Sequence, residues 1–173
     1  MKLLSFDVES NGLHGEAFAV GAVLVDGQGE VIEEFQARCP LPEPLDPWVK
    51  DHVLPPMKEM AQTHDNARAM RDAFWKWYLP SKAKADYVLT CNPYPVEARF
   101  LIACQNDDLN NRYFEHPFPL LDLGTLYVKA GARSGEQRDA LVAEASAGET
   151  NLEHHPRFDA WVAARVALKL LVL

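Results

Sequence analysis

A chain of 173 residues, 48% hydrophobic and 24% charged, has the size and composition of one folded domain, long enough to bury about 70% of its unfolded surface, and not those of a disordered segment. Its formal charge of −8, from 25 acids against 17 bases, excludes a basic protein that coats nucleic acid by charge alone. Nucleic acid stays open as a substrate, because bound cations can cover an acidic site. The cysteines, Cys39, Cys91 and Cys104, have no CxxC spacing and are odd in number. Neither a disulfide framework nor a structural zinc site is expected, and a reducing, cytoplasmic setting fits best. No apolar run approaches the roughly 20 residues that span a bilayer, so no membrane contact is expected. The apolar start of the chain stops at Asp7, too soon for an export signal.

In chain order, residues 3–9 read as a buried strand, apolar until Asp7. Residues 17–25 (AFAVGAVLV) are apolar almost throughout, as in a strand covered on both faces. Asp26-Gly27-Gln28-Gly29 turns the chain into a more polar strand at 30–38, which completes a hairpin. Residues 39–65 carry six prolines and form a long irregular connection of the kind that is often functional. Apolar residues at helical spacing predict a helix over 66–79, followed by a strand at 87–91 and a helix from Pro95 to Gln105. A short strand at 118–121 leads to Asp122 as the cap of a helix over 123–130. Residues 131–150, rich in Gly, Ala, Ser and charge, read as a mobile excursion, and Pro156 opens a final helix. Three early antiparallel strands followed by alternating helices and strands predict an α/β fold with a mixed central sheet flanked by helices, a single domain over 1–173.

Three places carry residue types suited to chemistry. Asp7 and Glu9 lie two apart on one strand and so share a face. Two carboxylates at the end of an apolar strand need compensation, which a hard divalent cation supplies well. Asp159 falls in the first turn of the last helix with His154 in the loop before it, and a neutral imidazole is a suitable general base. Glu97 falls at the strand-to-helix junction where open α/β sheets bind ligands. Each has an ordinary alternative: solvated acids at a strand end, or acids that favour a helix dipole.

Taken together, the segments resemble a known family. Phe6-Asp7-Val8-Glu9-Ser10-Asn11-Gly12-Leu13 is similar to FDxETTGL, Asn92…Val96-Glu97-Ala98-Arg99-Phe100-Leu101 to NxxFDxxFL, and His154-His155-Pro156-Arg157-Phe158-Asp159-Ala160 to HxxxxDA. These are motifs of the DEDDh 3′-to-5′ exonucleases, which have a ribonuclease-H-like fold. The closest look is to the standalone RNase AS-like and phage exoribonucleases. The spacing of the last motif selects His154 over His155. Glu97 stands where the family usually has Asp. The resemblance implies two divalent ions, magnesium or manganese, held by Asp7, Glu9, Glu97 and Asp159, with His154 as general base. It implies release of nucleoside 5′-monophosphates from the 3′ end of single-stranded nucleic acid, RNA favoured over DNA. It places Ser10, Asn11, Gly12 and Leu13 beside the terminal sugar and base, and makes Phe158 either a stacking partner for a base or an ordinary core residue. A homodimer is expected, with contacts on the Pro-rich segment or the last helix. Trp48, in the Pro-rich segment, is the tryptophan most open to a functional role. The rival class is a non-catalytic nucleic-acid-binding protein on the same fold.

Overall fold

Strand β1 (Leu3–Ser10) is the centre around which the chain is built. The computed structural model describes residues 1–147 and 153–171. β2 (Ala17–Val25) and β3 (Val31–Arg38) follow as the expected hairpin, antiparallel to β1 and to each other. Helix α1 (Ala67–Lys82) returns the chain, and β4 (Tyr87–Thr90) pairs parallel with β1. A short kinked segment, Pro93–Glu97, with Tyr94 extended, leads into α2 (Ala98–Asp107) and the single turn α3 (Leu109–Arg112). β5 (Leu120–Asp122) pairs parallel with β4 and completes a five-stranded mixed sheet in the order β3-β2-β1-β4-β5. Then come α4 (Leu123–Lys129), α5 (Gly135–Ala145) and α6 (Pro156–Leu171). The α/β class and the mixed sheet are as expected.

Strand alternation sorts β1 between two cores. Leu4, Phe6 and Val8 pack with Phe74 and Tyr78 of α1 and Phe100 of α2. Leu3 packs on the other face with residues of α4 and α6. Asp7 and Glu9 are in register with Leu3, so they emerge on the α6 side. The Pro-rich segment closes over the first core. It buries Val49, Val53 and Met57, and Arg38 Nη1 donates to the carbonyls of Met57 and Met60 at 3.1 Å each.

Two expectations are corrected. Residues 131–150 are not simply an excursion, because 135–145 form α5. Its start is a capping box in which Ser134 Oγ accepts from Gln137 N–H and the Gln137 side chain accepts from Ser134 N–H. The last helix is not a free surface for a dimer. α6 is buried along most of its length, from Phe158 to Leu170, against β1 and β2. That seating depends on Gly21, opposite Asp7 in the sheet: a Cβ there would lie 2.0 Å from the backbone nitrogen of Arg157. Cys39, Cys91 and Cys104 are free thiols, as expected. Among the described residues, no helix is long and apolar enough to cross a membrane.

Candidate active site

Three chain segments distant in sequence meet at one end of the sheet. β1 supplies Asp7 and Glu9, the start of α2 supplies Glu97, and the first turn of α6 supplies Asp159 with His154 just before it. All five side chains line one cleft of about 540 Å³, together with Cys91, Asn92, Tyr127 and Val142. One ligand atom from each of Glu9, His154 and Asp159 lies within 4.8 Å of the other two. The backbone N–H of His154 donates to Asp159 Oδ2 at 2.8 Å. His154 Nδ1 stands 4.0 Å from Glu9 Oε1, too far for a hydrogen bond.

No Lys or Arg among the described residues lines this cleft, and the acids repel one another. Desolvation raises the pKa of Asp7. Glu9 is raised most, by burial first and then by Asp7, Asp159 and Glu97. Glu97 and Asp159 are raised by burial and then by Asp7; backbone N–H groups of Glu97 and Val8, and of His154, oppose the rise in each. Four carboxylates at close quarters without a basic partner match the oxygen-rich donor set that hard divalent cations require. The expected metal therefore fits the residues present.

The other predicted residues divide. Leu13 is 65% exposed and borders a second cavity of about 260 Å³ with Ser10, Val96, Arg99 and Phe100. Ser10 is buried and its hydroxyl donates to the Gly12 carbonyl at 2.7 Å, so that side chain turns inward. The Asn11 amide is also engaged: Nδ2 donates to the Pro44 carbonyl at 2.8 Å and Oδ1 accepts from Asp46 N–H at 2.7 Å. Gly12 has a φ of +72°, which favours glycine. Phe158 forms part of the cleft wall, is 6% exposed and packs on Trp161 with ring centroids 5.8 Å apart. His155 does not line the cleft; it borders a neighbouring hollow with Pro55, Glu59 and His154. Arg157 pairs with Glu34 at 2.6 Å, and Arg138 lies over the Tyr127 ring.

Sequence reasoning missed two contributors. Gly21 lets the start of α6 reach the sheet beside Asp7; a glycine in mid-strand was the available signal. α5 supplies Asp139 and Val142 to the cleft rim, and only its capping residues signalled it.

No protein-family model and no curated protein matches the sequence. Among solved structures, the chain is similar to the nuclease domain of 3′hExo, a DEDDh family member, in a structure bound to rAMP. The TM-score is 0.64 at 15% identity, over 99% of this chain and 92% of that one. The likeness shows the ribonuclease-H-like α/β fold.

Proposed function

We propose that the protein is a metal-dependent 3′-to-5′ exonuclease, a single domain over 1–173, which releases nucleoside 5′-monophosphates from single-stranded ends. The observation that carries the reading is the convergence of Asp7, Glu9, Glu97 and Asp159 with His154 in one cleft without a basic partner. The fold of a DEDDh nuclease domain supports it. The same comparison favours RNA over DNA, because that neighbour binds rAMP, the kind of product an exoribonuclease would release.

Asp7, Glu9, Glu97 and Asp159 would hold two divalent cations, magnesium or manganese, which supply positive charge against the scissile phosphate and the departing oxygen. His154 takes a proton from the attacking water. The water oxygen bonds to phosphorus, the bond from phosphorus to the 3′-oxygen breaks, and that oxygen gains a proton from solvent. Leu13 packs on the terminal base, and backbone groups near Ser10 and Asn11 meet the terminal 3′-hydroxyl. The net charge of −8 fits engagement of one short end through cations, not the coating of long duplexes. A homodimer and a cytoplasmic location belong to the same reading. The dimer is supported by the exposed rings of Tyr113, Phe114 and Phe118, and sedimentation velocity reads it directly.

The test uses 5′-labelled single-stranded RNA and DNA of one sequence, with manganese, magnesium or EDTA. The expected result is a ladder shortening from the 3′ end, faster on RNA, and absent in EDTA and in Asp159→Asn. No shortening of either strand with any metal overturns the reading, and equal or faster DNA cleavage overturns the RNA preference.

A further inference from the structure

We propose that Trp48 is a positioning residue for His154, and that Asn11 sets Trp48 by tying the Pro-rich segment to the end of β1. The inference rests on His154 acting as the base. His154 sits at a φ of +66°, and among the described residues its ring makes no hydrogen bond. What borders the ring is Trp48, edge-to-face at 86° with centroids 5.4 Å apart.

Trp48 is itself held on several sides. Asn11 bridges the Pro44 carbonyl and Asp46 N–H, and Asp46 Oδ1 accepts from Trp48 N–H at 2.8 Å. The ring of His52 stacks on Trp48 at 5.0 Å and 14°, and His52 Nδ1 lies 3.0 Å from the Trp48 carbonyl, which can only accept. The clamp fits closely: a Cβ on Gly12 would come within 3.0 Å of Asp46 Oδ2. Yet Trp48 is 53% exposed. A large ring fixed this firmly without being buried contributes little to the core, and it lies against the His154 ring, which itself makes no hydrogen bond among the described residues.

A base works only when its ring stands within reach of the proton it takes, and small misplacements are expensive. Without Trp48 the His154 ring populates other orientations, and turnover falls by the fraction of time it is misaligned. Ground-state binding of the strand and of cations is unaffected.

The full-length chain is compared as wild type, Trp48→Ala, Trp48→Phe and Asn11→Ala, each also in a His154→Ala background, under single-turnover conditions. Trp48→Ala is expected to lower the rate by about 10- to 100-fold with KM and manganese affinity unchanged. Trp48→Phe recovers most of the loss, and Asn11→Ala gives a smaller loss of the same kind. In the His154→Ala background none of the three adds anything. The His154 ring proton resonances, shifted by the Trp48 ring current, move toward ordinary histidine positions in Trp48→Ala. Independent losses in the His154→Ala background, a rise in KM at unchanged rate, or resonances that stay in place would overturn the proposal. A wild-type protein that cleaves nothing defeats the nuclease reading instead, and the resonance shift still decides whether Trp48 orients His154.

Discussion

The backbone N–H of His154 donates to Asp159 Oδ2 at 2.8 Å, closing a loop of five residues onto the first turn of α6. The proposed base and one proposed cation ligand therefore cannot move independently. The bond also favours the charged form of Asp159, against burial and the nearby Asp7, which raise its pKa.

Asp159→Asn separates these two duties. An asparagine oxygen can still accept from His154 N–H, so the loop keeps its shape while the charge is lost. The variant is expected to fold as wild type, bind manganese at least about 10-fold more weakly, and cleave nothing measurable. Asp159→Ala loses the hydrogen bond as well and should cost about 1 kcal/mol of stability. Thermal melts and manganese titrations of both variants check this; wild-type manganese affinity in Asp159→Asn would remove Asp159 from the ligand set.

The buried acids also set a pH dependence of stability. Glu97 and Asp159 are each pushed up to about 8 in the folded chain, from ordinary values of 4.5 and 3.8, by burial and by Asp7. Between those values the folded protein binds more protons than the unfolded one, so these groups make the cation-free protein less stable as pH rises from about 5 to about 8. A divalent cation takes the deprotonated carboxylates and reverses it. The gap in melting temperature between manganese and EDTA should widen steadily over that pH range, with protons released on binding. A gap that stays constant from pH 5 to pH 8 would show that the four acids do not bind the ion.

What was legible in the sequence follows the range of the interactions. β1, β2 and the hairpin were visible because apolar runs and the Asp26–Gly29 turn are local signals. Asp7 and Glu9 could be placed on one face by strand period alone. The α5 helix was not visible by periodicity, since of its residues only Ala145 is buried, leaving no apolar stripe to read. The side chain of Asn11 could not be assigned from sequence because its partners, Pro44 and Asp46, arrive through folding of the Pro-rich segment. Phe158 could be read equally as a base-stacking or a core residue from sequence, because its place both in the core under α6 and in the cleft wall depends on how α6 packs on the sheet.

Glu97 offers a test of like-charge repulsion in the cleft. Glu97→Gln removes one carboxylate from a set in which Glu97 raises the pKa of Glu9. The cation-free variant should melt higher than wild type above about pH 7, because a buried charge without a basic partner is gone. Its manganese affinity should fall by about 10-fold or more, with cleavage falling too. Calorimetry in EDTA and titration with manganese read the two effects separately. A variant that is destabilised in EDTA at pH 8 would mean that Glu97 is held by a partner that stabilises its charge.

Gly21 gives the sharpest link between packing and chemistry. It pairs with Asp7 across β1 and β2, and a Cβ would fall 2.0 Å from Arg157 N and 2.3 Å from the Pro156 carbonyl carbon. Those are backbone atoms at the start of α6, so no side-chain rotation relieves the clash. Either β2 bends or the helix start lifts from the sheet, and the lift moves Asp159 and His154 away from Asp7 and Glu9. Gly21→Ala should therefore cost about 3 kcal/mol, the upper end for overpacking, and should weaken manganese binding in the protein that remains folded. Ala19→Gly, two residues away on the same strand and opposite Glu9, adds no atoms; it should cost only about 1 kcal/mol and leave manganese affinity unchanged. If Gly21→Ala bound manganese as wild type does while melting at a lower temperature, the seating of α6 would matter for stability without governing the geometry of the acids.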